Sequence, residues 1–283
     1  TGAMALVWGG FTFIFLTIGP AVFVAFILGK MDKNKLYVYA IWIFSSFLVM
    51  HPFSTRFNFK DLFTSIDTGS AFVVLCIVVI HFLVYGSKLK NIIEKNERLK
   101  KIPPQIISLI LSLILIIVFA SIFLGPSFLP EKIVSIKNNL ITPSASRLLL
   151  TVAENKQPYF TEWANSFGPN FGRIPLTFWL FIVGSIYLFN HSVNFLVKKD
   201  KWMLTLCYVA FLFALVFSRY SPNSVLNGTN FVSVALYGLG FILFIGSIGY
   251  YHYKYYNNNE RDKLKEVDFG FLMLFSLFFL SIV

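Results

Sequence analysis

The chain of 283 residues is 57% hydrophobic and 18% aromatic, and only 13% of it is charged, against about 25% in an ordinary soluble domain. That balance excludes a soluble globular enzyme and leaves room for eight helices of about 20 residues each, so the chain reads as an all-α polytopic membrane protein. The formal charge of +11 is no sign of nucleic-acid binding, because the 24 Lys and Arg fall in short patches between long apolar runs, which is the mark of membrane topology.

Taken in order, the apolar runs predict spans over 5–28, 36–53, 69–85, 106–124, 174–189, 202–217, 231–251 and 269–283. The second, third, fifth, sixth and eighth fall short of the roughly 20 residues of a straight span, so their ends are loosely set. The first run has no basic leader and no cleavage site, so it reads as a true span; with Thr1 rather than Met at its start, the chain reads as part of a longer protein. Pro20 predicts a kink in the first span, whereas Pro175 sits in the first turn of the fifth, where no donor is lost. Gly238, Gly240, Gly246 and Gly249 offer a small-residue face for close helix packing in the seventh. Cys76 and Cys207 both lie inside apolar runs and give no sign of redox compartment. The four histidines, His51, His81, His191 and His252, lie at or near span ends without metal-ligand spacing and read as interfacial residues.

The segments between spans alternate in basic charge. One set (Lys30, Lys33 and Lys35; Lys88 to Lys101; Lys198, Lys199 and Lys201; Lys254 to Lys265) holds 16 of the 24 Lys and Arg, while the other holds 8 spread over longer loops. The positive-inside rule puts the first set in the cytoplasm, and with eight spans both chain ends lie outside.

Residues 125–173 form an external connection far longer than the two to eight residues usual between helices, a length that points to function or disorder. Its aromatic and aliphatic content, with Phe128, Leu148, Leu149, Leu150, Tyr159, Phe160, Trp163, Phe167 and Phe171, suits packing onto the membrane domain or a ligand. Glu154 follows the apolar run 148–153 directly; a carboxylate so placed ligates a divalent cation or accepts N–H bonds, or is simply a solvated loop glutamate. Arg219 ends the sixth span and is the only Lys, Arg, Asp or Glu between Lys201 and Lys254. It suits a phosphate clamp or, equally, a side chain snorkelling to headgroups. Residues 220–230 read as a tight external turn, and Asn227-Gly228-Thr229 within it is an N-x-T triplet too close to two spans for a modifying enzyme to reach. No Walker lysine, Gly-rich phosphate loop or nucleophile elbow is present, which argues against a nucleotide-driven pump.

Thr151-Val152-Ala153-Glu154, followed by Gln157-Pro158 and Trp163 in the long loop, resembles the signature loop of the oligosaccharyltransferase catalytic subunit in its archaeal form. Trp8-Gly9-Gly10-Phe11, then Gly29-Lys30 and Leu36-Tyr37, resembles that family's Trp-Gly-Gly-Tyr helix and the basic loop after it. Ser218-Arg219-Tyr220 matches the place of its lipid-phosphate arginine. The similarity runs in order over the whole chain.

It implies a membrane domain of the GT-C glycosyltransferase type, with about eight helices and an acceptor-binding loop over 125–173. The implied reaction is protein N-glycosylation, the transfer of an oligosaccharide from a polyprenyl (dolichyl) phosphate or pyrophosphate to Asn in Asn-x-Ser/Thr. Thr151, Val152, Ala153 and Glu154 would contact the acceptor, Arg219 the lipid phosphate, and Glu154 a divalent cation, Mn or Mg. The implied partners are the lipid-linked oligosaccharide, the acceptor polypeptide and membrane lipid, with no nucleic acid, in a cell membrane if the source is archaeal.

Lys156 departs from the family pattern as an insertion before Gln157. The family's metal-binding aspartates and its sequon-reading Trp-Trp-Asp-Tyr-Gly domain would precede Thr1 and follow Val283, so the chain by itself is expected to be inactive. A protein O-mannosyltransferase would share the helices and the external loop but not the Thr-Val-Ala-Glu and Gln-Pro pairing. A transporter would need ionisable residues or broken helices near mid-membrane, and no span carries a mid-span Asp, Glu, Lys or Arg.

Overall fold

Each of the eight apolar runs contains a helix, and the helix ends follow caps and turns rather than the limits of apolarity. The computed structural model describes residues 1–7, 10–53, 57–100, 102–141, 159–165, 168–258 and 260–282. Its helices are α1 (Gly2–Ala5), α2 (Phe11–Ile27), α3 (Lys33–Phe53), α4 (Phe59–Thr64), α5 (Asp67–Tyr85), α6 (Leu89–Lys95), α7 (Glu97–Lys100), α8 (Pro104–Leu124) and α9 (Phe128–Ile141). After them come α10 (Leu176–Ser192), α11 (Lys198–Phe217), α12 (Phe231–Asn257), α13 (Arg261–Leu264) and α14 (Phe269–Ile282). Strands β1 (Asn170–Phe171) and β2 (Ile174–Pro175) form an antiparallel hairpin in which Asn170 faces Pro175 and Phe171 faces Ile174.

Among the described residues α3, α5, α8, α11 and α12 are long and apolar enough to cross a membrane, while α2 and α10, each of 17 residues, are apolar but shorter. The chain is an all-α membrane protein. Its third helix starts at Lys33 because Asp32 caps it: the carboxylate accepts the Lys35 N–H at 2.9 Å and the carbonyl accepts that of Leu36 at 3.0 Å. The Lys35 ammonium lies 2.9 Å from the same carboxylate, and this hydrogen bonding holds the Asp32 pKa below its ordinary value. Likewise α11 takes its first turn from Lys198 to Lys201, with Asp200 at the positive end of the helix dipole. The first predicted span, 5–28, is shorter than expected, since α1 is a separate turn and α2 opens at Phe11. It runs on through Pro20 as one helix, and Pro175 is the N-cap of α10 rather than part of its first turn. The connection 125–173 is not simply a loop, because it contains α9, a 310 turn (Phe160–Asn165) and the first strand of the hairpin.

Residues 1–128 and 255–282 make one compact unit and 129–254 a second. In the first, α2 packs on α5 and α14, and α5 also packs on α8. Phe11, Phe15, Phe26, Ile43, Phe47, Met50 and Val78 are buried at its centre. Gly29, at φ 72°, closes α2 with a Schellman pair, its own N–H to Phe26 O and that of Lys30 to Ala25 O, both 2.9 Å. Lys30 Nζ then donates to Val267 O, tying that turn to the start of α14. His81, one turn from the end of α5, has its Nδ1 2.9 Å from Ser108 Oγ on α8, and its ring meets Phe26, Phe82 and Tyr85.

In the second unit α10, α11 and α12 share an aromatic core. Tyr208 stacks on Phe189 at 4.4 Å, and Phe211 stacks on Phe244 at 5.4 Å. Polar bonds inside the bundle join α10 to α11, from Ser185 Oγ to Tyr208 Oη and from Asn190 Nδ2 to Thr205 Oγ1. The expected small-residue face of α12 reduces to one glycine: a Cβ on Gly240 would stand 2.6 Å from Ala214 Cβ, whereas those on Gly238, Gly246 and Gly249 would meet nothing within 4 Å.

Candidate functional site

Helix α11 ends at Phe217, and Ser218, which caps it, is buried with its Oγ donating to Leu215 O at 2.9 Å. Arg219 and Tyr220 then run between two other segments. On one side Arg219 bridges Asn227, and the Tyr220 N–H donates to Leu226 O at 2.8 Å. On the other side the Phe160 N–H donates to Arg219 O at 2.8 Å and the Thr161 N–H to Tyr220 O at 3.1 Å. With its carbonyl bonded to Phe160 and the adjoining Tyr220 N–H bonded to Leu226, the backbone of Arg219 fixes where its side chain starts.

The side chain itself is half-buried. Its Cζ lies 5.0 Å from the centre of the Tyr159 ring. Opposite stands Gly228, at φ 82°, where a Cβ would meet Arg219 Cγ at 2.8 Å and Nη1 at 3.2 Å. The turn around Gly228 is fastened by side chains. Asn227 Oδ1 accepts from Thr229 N at 3.1 Å, from Asn230 N at 3.0 Å and from Thr229 Oγ1 at 3.2 Å. Asn230 Oδ1 then caps α12 at the Ser233 N–H, 3.0 Å, and Ser233 Oγ accepts the Gly228 N–H at 3.1 Å.

The 310 turn is seated by aromatic packing. Phe160 meets Phe217 at 4.9 Å, Tyr220 at 5.8 Å and Phe178 at 5.9 Å, and Trp163 meets Phe178 at 5.2 Å. Glu162 Oε2 accepts the Tyr159 N–H at 2.9 Å, which closes the turn. The expected packing of loop aromatics onto the membrane helices therefore holds for Phe160 and Trp163, while Phe171 is 72% exposed on the hairpin.

Thr151, Val152, Ala153, Glu154, Lys156, Gln157 and Pro158 lie outside the described residues, as do Trp8 and Gly9. Of the residues singled out in the sequence for chemistry, the described structure thus places Arg219, and it adds Tyr159, Gly228 and Asn227 around it. An Asn-Gly pair is a turn signal with φ > 0, so the sharp turn was readable; its contact with Arg219 was not. Among the described residues no group of three or more His, Cys, Asp or Glu is placed to hold a metal ion. What the arrangement offers chemically is one permanent cation with a planar set of N–H donors, mounted on a rigid aromatic base at a helix end. No protein-family model, curated protein or solved structure matches this chain.

Proposed function

We propose that this chain is the polytopic membrane part of an oligosaccharyltransferase, which moves an oligosaccharide from a polyprenyl phosphate or pyrophosphate to the side-chain nitrogen of Asn in Asn-x-Ser/Thr. The observation that carries the reading is the docking of Phe160 and Thr161 onto Arg219 and Tyr220. Glu154 precedes Tyr159 by five residues, and five residues of chain reach at most about 18 Å. This supports a common site for two residues singled out on separate grounds and 65 positions apart in sequence.

In this reading all eight apolar helices span a GT-C type domain, with α2 and α10 at the lower edge of the roughly 17–25 residues that a span takes and α14, 14 residues as described, below it. The Lys-rich segments face the cytoplasm; residues 125–173, the Arg219 turn and both chain ends face outward. The guanidinium of Arg219 presents its donor fork to the donor phosphate and stabilises the charge that grows there as the glycosidic bond breaks. The acceptor amide is a poor nucleophile because its lone pair is delocalised into the carbonyl. Glu154 accepts the amide N–H bonds and favours a twisted, more reactive amide, with Thr151, Val152 and Ala153 alongside the acceptor. The divalent cation that the resemblance implies has Glu154 as its one assigned ligand, and among the described residues no group of three or more His, Cys, Asp or Glu is placed to complete its site. When bound, it would supply charge stabilisation at the leaving phosphate.

The test is donor affinity in the complete enzyme, measured beside the thermal midpoint. Affinity for the lipid-linked oligosaccharide falls in the order Arg219, Arg219→Lys, Arg219→Ala, by about 1.5 to 3 kcal/mol per lost charge-assisted bond before screening. Unchanged donor affinity in Arg219→Ala, with a lowered midpoint, reassigns Arg219 to headgroup anchoring and overturns the reading.

A further inference from the structure

We propose that Tyr159 and Gly228 are positioning residues that aim the Arg219 guanidinium at the phosphate of a lipid carrier. The inference rests on Arg219 being the donor-phosphate residue. A free Arg side chain samples many rotamers, and ordering it when the anion arrives weakens binding. Here the ordering is done beforehand, from three directions. Backbone pairing on both edges fixes the Cα. The ring of Tyr159, 5.0 Å from Cζ, attracts the cation through its face without consuming an N–H donor. Gly228 supplies the remaining wall: at φ 82° it takes a conformation that other residues resist, and any Cβ would stand 2.8 Å from Arg219 Cγ. The wall is stiff because Asn227 Oδ1 holds Thr229 and Asn230, and Ser233 Oγ holds the Gly228 N–H. A side chain added at position 228 therefore displaces Arg219 as well as straining the turn.

The probe is polyprenyl phosphate, titrated against the chain in lipid nanodiscs. Tyr159→Phe keeps the ring face and should bind as the wild type, whereas Tyr159→Leu should bind roughly three- to tenfold more weakly. Gly228→Ala should weaken binding at least as much, through the displaced guanidinium. Because that variant also strains the turn, the decisive comparison uses Tyr159, which leaves the backbone unchanged. In an Arg219→Ala background, Tyr159→Leu should have no further effect on binding. A residue that merely supports the fold would weaken binding equally in both backgrounds and would lower the thermal midpoint with Phe as well as with Leu, and that result overturns the proposal. If Arg219→Ala binds the probe less tightly while Tyr159→Leu and Gly228→Ala bind it like the wild type, positioning is refuted and the site stands. If Arg219→Ala itself binds the probe unchanged, the donor-phosphate reading is what has failed.

Discussion

Asp200 and Lys254 show how a charged pair is kept at the end of a membrane helix. Their side chains meet at 2.7 Å, with 11% of Asp200 and 37% of Lys254 exposed. Removing the cation leaves a carboxylate largely out of water, so Lys254→Met should cost about 1 to 2 kcal/mol, less than the roughly 3 to 5 kcal/mol of a fully buried pair because Lys254 keeps part of its side chain in solvent. Combining it with Asp200→Asn should recover part of the loss, read from the thermal midpoints of the three variants; a Lys254→Met midpoint equal to wild type would show that the pair contributes nothing. Single residues were unevenly legible in the sequence. Arg219 stood out as an isolated charge at a span end, and Asn227-Gly228 as a turn. Tyr159 could not be read, because a ring-face contact between positions 60 apart in the chain leaves no periodic trace. The partner of His81 on α8, Ser108, was not legible from its nearness to a helix end.

At the scale of helices, the apolar runs located a helix in every predicted span, because a segment in lipid must satisfy its own backbone hydrogen bonds. Among the described residues five of these helices are long and apolar enough to cross a membrane. The ends were less legible, since Asp32 at α3 and Lys198 at α11 extend those helices into charged sequence. Helix α9 was missed inside the long connection; its signals were Pro130 and Glu131 in a first turn and the apolar spacing of Ile133, Val134 and Ile136. The glycines of α12 looked alike in sequence and differ in surroundings. Gly240→Leu must push α12 away from Ala214 and Phe211 and should cost about 1 to 3 kcal/mol. Gly246→Leu meets open space and should be neutral or gain up to about 1 kcal/mol from helix propensity. Thermal midpoints in one detergent separate the two; equal losses at both positions would show that α11 and α12 are not held together at Gly240.

For the whole molecule, charge alternation predicts that residues 125–173 and the Lys-rich segment 88–101 face opposite sides of the membrane. Single cysteines at Asn139 and Asn96, in a background without Cys76 and Cys207, should label with an impermeant thiol reagent from opposite sides. Labelling from the same side would remove the topology and the common external site with it. The function itself is tested most directly by glycosyl transfer from a polyprenyl-linked oligosaccharide to a peptide with a single Asn-x-Thr, catalysed by the complete enzyme and by its Glu154→Gln variant. The expected result is a glycan mass on the peptide Asn with the wild type, and with the variant a turnover lower by orders of magnitude or a loss of acceptor binding. No transfer by the complete enzyme would contradict the proposed reaction, and undiminished transfer and acceptor binding by Glu154→Gln would remove Glu154 from it.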